Sequence, residues 1–463
     1  MEKFINRKYE LGVLEERFLS ERSEMIIIYG RRRVGKTELI QKFLTNVSGI
    51  YLLGREESEF DQLRRFSSII ASHFNDDVLL KNHFRSWDAL FEYINRESEK
   101  RLMLVIDEFP YLLKSSSALP SIIQDYWDNK LRYKKLFLVL CGSSIGMMEN
   151  LMGYTSPLYG RRTGQLLIKP FRFKDTMKFF PHYDIKEKIQ AYTILGGTAA
   201  YLSQFSDSIC IKENIKCKIL RKDNFLFMDP VFILREELDE PRYYFSILKS
   251  IANGNTKLGN IVNDVGLPKG IVGKYLSVLI DLHIIEREVP VTEFHPQKTR
   301  KGLYKIKDNF FRFWFGSVYP YLESIEQGNM DFVLDKAVNF IERVIPFTYE
   351  DICREFLVEI NQKNTLPFLF FRAGRWWDGG NEIDIVALNE ETKEILFCEC
   401  KWTEKKVGLK ILNELKEKAK LVQWHNQDRK EYFALFSKSG FEADLKDKVL
   451  LFDLNDLSEE FEK

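Results

Sequence analysis

The chain has 463 residues, 45% of them apolar and 30% charged, enough to fill sizeable cores and too apolar for a disordered chain. At roughly 100–200 residues per domain, this length suggests about three domains. Lys plus Arg number 69 and Asp plus Glu 68, so the net charge is +1 and a uniformly basic or acidic protein is excluded.

Residues 1–170 alternate apolar runs of strand length with helical periodicity. MIIIYG (25–30), GIYLLG (49–54), LMLVID (102–107) and LFLVLCGSS (136–144) are continuous apolar runs. TELIQKFL and SIIQDYWDNKL between them suit helices. Fully apolar strands separated by helices predict a parallel sheet covered on both faces. Residues 171–240 read as a mostly helical lid broken at Gly196-Gly197.

Residues 241–320 read as three helices followed by two extended stretches, the pattern of a winged helix. This segment holds 12 Lys/Arg against 6 Asp/Glu, a net of +6, so the remainder is about −5 by difference from +1. The third helix, PKGIVGKYLSVLIDLHII, is the expected recognition helix. Lys269 and Lys274 lie on its open face, and Lys298, Arg300, Lys301, Lys305 and Lys307 lie on the wing. Such groups neutralise phosphates, so DNA is the expected partner, with linker or protein docking as the alternative. Residues 321–463 begin with helices. They continue with the strands PFLFFRAG, EIDIVALN, EILFCECKW and YFALFSKSG around the amphipathic helix LKILNELKEKAKLVQWH.

Six cysteines are present, and only Cys398 and Cys400 are close. Their i,i+2 spacing on a strand suits core packing rather than zinc. No apolar run approaches the ~18 residues of a membrane-spanning helix. MEKFINRKYE lacks the apolar stretch of a secretory signal. The expectation is a cytoplasmic protein with reduced thiols and no membrane partner.

Gly30-Arg31-Arg32-Arg33-Val34-Gly35-Lys36-Thr37 matches GxxxxGK(S/T) between an apolar strand and a helix. Gly30 and Gly35 let backbone N–H groups turn onto phosphate oxygens, and the following helix offers its positive end. Lys36 can reach β- and γ-phosphates, and the Thr37 hydroxyl can ligate Mg²⁺. LMLVIDE then places Asp107 for the metal shell and Glu108 for the attacking water. Ser143, at the tip of the next strand, can hydrogen-bond water or γ-phosphate. Arg161 can stabilise transition-state charge, in cis or from a neighbouring subunit of a homo-oligomer.

In the last segment, Asp384 and Glu399 are positioned to hold Mg²⁺, with Lys401 beside them and Glu350 completing the shell. Such a site would activate water against a phosphodiester.

The motifs FINRKYEL, GRRRVGKT, VIDEFPYL, CGSS, PLYGRRTG and LGGTAAYL resemble, over residues 1–240, the archaeal-type AAA ATPases related to the signal-transducing STAND ATPases. That resemblance implies ATP and Mg²⁺ as cofactors. It also implies Lys36 and Thr37 as the phosphate-loop pair, Asp107 and Glu108 as the metal and water pair, Ser143 as a sensor and Arg161 as a finger. Family members usually have proline where Ala199 follows Gly196-Gly197-Thr198. Asp384, Glu399-Cys400-Lys401 and GRWWDGGNEIDIVAL…FCECKW resemble the restriction-endonuclease-like PD-(D/E)xK family over about residues 345–455.

The expected fold class is therefore α/β: a P-loop NTPase parallel sheet with a helical lid, a winged helix, and an α/β restriction-endonuclease-like domain. The expected function is an ATPase coupled to DNA binding and metal-dependent DNA cleavage. The alternatives are a nucleotide-controlled signalling switch and a DNA-remodelling ATPase with an inert nuclease-like domain.

Overall fold

The computed structural model describes residues 4–238, 240–445 and 449–462. The chain divides into two compact units, one ending at Pro170 and one beginning at Phe171. Among the described residues no helix is long and apolar enough to cross a membrane.

In the first unit, β1 (Glu24–Tyr29), β2 (Gly49–Leu53), β3 (Leu102–Asp107), β4 (Leu136–Gly142) and β5 (Gly164–Leu167) form one parallel sheet in the order β2-β3-β4-β1-β5. Every residue of β1, β3 and β4 is buried. Their side chains alternate between two cores. Met25, Ile27, Leu104, Ile106, Leu138 and Leu140 fill one. Ile26, Ile28, Met103, Val105, Phe137 and Val139 fill the other. Helices on both faces explain why these strands read as unbroken apolar runs. Two helices matter for the site: α1 (Lys36–Leu44), which follows the glycine loop, and α2 (Leu119–Asn129), which ends at the opposite edge of the sheet from that loop.

In the second unit, short helices fill 171–240, including a π-helical turn at Ile215–Ile219. Then α3 (Arg242–Ala252), α4 (Leu258–Val265) and α5 (Lys269–Asp281) precede the antiparallel hairpin of β6 (Ile285–Glu288) and β7 (Leu303–Ile306). Three helices followed by a hairpin is the element order expected over 241–320. The helix α6 (Met330–Gln362) runs for 33 residues.

A second sheet follows, of β8 (Arg372–Asp378), β9 (Asn381–Asn389), β10 (Glu394–Lys401), β11 (Lys430–Ser437) and β12 (Leu450–Asp453), in the order β12-β11-β10-β9-β8. It is mixed: β8, β9 and β10 pair antiparallel, and β10, β11 and β12 pair parallel. The expected strand over PFLFFRAG starts only at Arg372. The preceding Phe368 and Phe370 are buried as core residues instead. One sheet face packs with α6, through Ile385, Leu396 and both Cys398 and Cys400. The cysteine pair thus lies in the core. The other face packs against α7 (Leu409–Leu421), through Val386, Phe397, Leu412 and Leu415.

Glu355 of α6 anchors the start of the second unit. Its two carboxylate oxygens accept the backbone N–H groups of Phe173 (3.0 Å) and Lys174 (3.1 Å). Burial pushes its carboxyl from the ordinary 4.5 up to about 7. Folded protein therefore binds more protons than unfolded chain between those values, and stability falls as pH rises through them. Wild type is expected to lose more melting temperature between pH 5 and 7.5 than Glu355→Gln does. The difference is on the order of 1–3 kcal/mol, read by thermal unfolding at both pH values.

Candidate functional site

The glycine loop leaves the C-terminal end of β1, an interior strand of the sheet. A Cβ on Gly30 would lie 2.4 Å from the Ile168 carbonyl oxygen, so only glycine lets the chain pass there. Gly35 sits at φ +92°, a conformation that side chains with a Cβ disfavour, and starts α1. Lys36 is buried, 6% exposed, and its ammonium donates to the carbonyl oxygens of Gly30 and Arg31, both at 2.9 Å. Burial lowers its pKa, against the nearby charges of Glu108 and Asp107, which raise it. The ammonium is thus turned into the loop, towards the tips of β3 and β4.

Asp107 ends β3. Its Oδ2 accepts the Thr37 hydroxyl at 2.9 Å and the Tyr51 hydroxyl at 2.7 Å, and its Oδ1 accepts the Glu108 N–H at 2.8 Å. Glu108 adopts a left-handed backbone at φ +50°. Non-glycine residues held in that region cluster at functional sites. The Ser143 hydroxyl, beyond the tip of β4, donates to Glu108 Oε2 at 2.8 Å. The structure therefore brings together Gly30, Gly35, Lys36, Thr37, Asp107, Glu108 and Ser143. A hydroxyl and a carboxylate in contact beside a lysine-bearing loop fit Mg²⁺ and a triphosphate.

Arg161 is elsewhere. It precedes β5, and the neighbouring Thr163 bonds Met25 at the start of β1, the edge opposite the loop. That separation is about 16 Å along the strand. The Arg161 Nε and Nη2 both donate to Oδ2 of Asp128 of α2, at 3.0 and 2.8 Å. This placement sets Arg161 at the far end of the strands from the loop.

In the second unit, Asp384 of β9 and Glu399 of β10 lie just beyond the last paired residues of the two strands, Ile385 and Cys398. Both are buried, 7% and 5% exposed. Asp384 Oδ2 accepts the Cys400 N–H at 2.7 Å. Burial, then the Glu399 charge, pushes the Asp384 carboxyl up to about 6. Lys401 donates to Glu399 at 2.7 Å; burial opposes its charge, but the Glu399 hydrogen bond and charge raise its pKa overall. Lys418 of α7 donates to both Glu399 oxygens, at 3.0 and 3.1 Å.

Glu350 comes from α6, and its carboxylate pairs with Arg375 at 3.4 Å. Burial, then the Asp384 charge, pushes it up to about 8. Among the described residues no group of three or more His, Cys, Asp or Glu is arranged to hold a metal ion.

Of the five basic groups expected on the wing, Lys298, Arg300 and Lys307 are exposed, and Lys301 and Lys305 are paired. Lys305 faces Glu286 (3.1 Å), Glu288 (3.5 Å) and Asp351 (3.5 Å), and Lys301 faces Asp378 (3.1 Å). The Val291 N–H donates to Arg375 O, and the Trp377 indole N–H to Lys301 O. Arg375 joins Glu288 of the wing to Glu350 and Glu382. The hairpin is docked on edge strand β8, and both lysines already face carboxylates. Tyr51, Lys418 and Arg375 were not foreseen from the sequence. The signal for Lys418 is its place three residues after Leu415, beside the buried face of α7.

A glycine loop carrying a buried lysine between a strand and a helix, with a carboxylate pair at the tip of a nearby strand, defines a P-loop ATPase domain. The chain belongs to an archaeal ATPase family. Residues 4–205 match the family described as an ATPase domain predominantly from Archaea, and residues 314–418 match one described as archaeal and bacterial proteins of unknown function. The uncharacterized protein MJECL04 of Methanocaldococcus jannaschii is 38% identical over 458 residues, spanning 98% of this chain and 100% of that protein. An uncharacterized ATP-binding protein of the same organism, MJ0423, is 58% identical over 43 residues, 9% of this chain and 73% of that protein. The Walker-type ATPase PABY2304 of Pyrococcus abyssi shares the fold, with a TM-score of 0.53 and 23% identity over 67% of this chain and 96% of that one.

Removing the Lys305 charge leaves Glu286, Glu288 and Asp351 crowded, offset only in part by Arg354 and Arg375. Lys305→Met is expected to speed amide hydrogen exchange in β6 and β7 about 10-fold or more, measured by mass spectrometry.

Proposed function

We propose that the first unit binds ATP with Mg²⁺ and hydrolyses it, and that the second unit couples this to DNA. The observation that carries the reading is the assembly of Lys36, Thr37, Asp107, Glu108 and Ser143 at adjacent strand tips. Lys36 would move from the loop carbonyls to the β- and γ-phosphates. Thr37 and Asp107 would hold Mg²⁺, which supplies charge neutralisation on the transferring phosphoryl group. Glu108 would orient the attacking water, its carboxylate set by the Ser143 hydroxyl. Arg161 would reach a nucleotide only from a neighbouring copy in a homo-oligomer.

The net +6 of residues 241–320 supports DNA as partner. Because Lys301 and Lys305 face carboxylates, contact with a duplex falls to the exposed Lys269 and Lys274 of α5 and to the exposed Lys298, Arg300 and Lys307. A second reading is metal-dependent cleavage by the C-terminal sheet. The facing carboxylates of Asp384 and Glu399 with Lys401 alongside favour it. In that reading the two carboxylates hold Mg²⁺ and Lys401 steadies developing negative charge. If the domain is inert towards phosphodiesters, the same groups serve only to grip DNA.

Lys36→Ala is expected to abolish nucleotide binding or turnover. Glu108→Gln should keep nucleotide affinity within about 3-fold while lowering kcat about 10²–10⁴-fold, measured by phosphate release and by equilibrium binding. Unchanged turnover in Lys36→Ala contradicts the reading. For the C-terminal site, a nuclease assay with Mg²⁺ or Mn²⁺, with and without ATP, compares wild type with Asp384→Ala. Cleavage by wild type alone supports cutting. No cleavage by either, with DNA bound by both, supports gripping.

A further inference from the structure

We propose that Tyr51 is a positioning residue of the nucleotide site, whose phenol fixes the Asp107 carboxylate in the orientation that Mg²⁺ requires. The inference rests on the ATP reading and names a residue outside the phosphate-loop and Asp-Glu motifs.

Three donors fix the Asp107 carboxylate, and each comes from a different place. Oδ1 takes the Glu108 backbone N–H at 2.8 Å, and Oδ2 takes the Thr37 hydroxyl at 2.9 Å and the Tyr51 hydroxyl at 2.7 Å. Two of the three belong to the machinery itself, since Thr37 is a metal-ligand candidate and Glu108 the water-orienting group. Tyr51 is neither. It stands on β2, paired in register beside β3, with Leu53 opposite Asp107. Its ring packs against a core of the sheet.

Thr37 must offer a hydroxyl lone pair to a metal while its proton remains on Asp107. A carboxylate held by that one hydroxyl would turn with it. The Tyr51 bond ties the same oxygen to the rigid sheet instead, so Asp107 keeps its direction when Thr37 changes partner. The hydrogen bond links the charged acceptor to a neutral donor, the class that contributes most among ordinary hydrogen bonds.

Tyr51→Phe keeps the ring and its packing and deletes only the donor. The experiment titrates Mg²⁺ against wild type, Tyr51→Phe and Thr37→Val, following binding of a fluorescent ATP analogue, with a parallel set in EDTA. Tyr51→Phe is expected to leave the EDTA affinity within about 2-fold and to raise the half-saturating Mg²⁺ concentration about 5–10-fold. A purely structural tyrosine would change neither, or would weaken both conditions equally, and either result overturns the assignment. If Thr37→Val shifts the Mg²⁺ dependence and Tyr51→Phe does not, the Tyr51 role fails while the ATP reading stands. If wild type shows no Mg²⁺-dependent nucleotide binding, the ATP reading fails and the Tyr51 role falls with it.

Discussion

The Asp107 carboxylate is the junction on which the first unit's chemistry depends. It ties the helix after the glycine loop, through Thr37, to the sheet, through Tyr51, and to its own strand tip, through the Glu108 N–H. Parallel strands that end at one edge bring these groups together without any long-range loop. The left-handed backbone at Glu108 then turns its side chain to meet Ser143. Local backbone strain, one carboxylate and two neighbouring strands thus place every polar group at the loop.

In the second unit the same economy of charge takes a different form. Arg375 receives carboxylates from the wing, from the long helix and from β9. Glu399 receives two lysines, one from its own strand and one from α7. Buried ions of this kind are tolerated because each has a partner at hydrogen-bond range. The consequence for function is that the wing and the C-terminal carboxylates share one network. A movement of the winged helix would change the field at Glu350 and, beyond it, at Asp384.

Much of this was legible in the sequence. Continuous apolar runs gave the buried parallel strands, because both faces of that sheet are covered. The glycine loop was legible because its spacing is set by phosphate-sized geometry. β5, with only GQLL, was not, since four residues including Gly and Gln carry no apolar period. Arg161 follows β4 in the chain, but its distance from the loop is fixed by which edge of the sheet it enters, and sequence order does not encode that edge. Lys305 and Lys301 looked free because their carboxylate partners, Asp351 and Asp378, lie on α6 and β8. Tyr51 was hidden because only the β2–β3 pairing puts its hydroxyl beside Asp107.

The account stands most directly on where the Lys36 ammonium goes. A crystal structure with Mg²⁺ and a non-hydrolysable ATP analogue is the decisive measurement. The account predicts that Lys36 Nζ leaves the carbonyls of Gly30 and Arg31 for the β- and γ-phosphate oxygens, with Thr37 Oγ1 on the metal. A nucleotide bound away from the glycine loop, with Lys36 still on those two carbonyls, would contradict it.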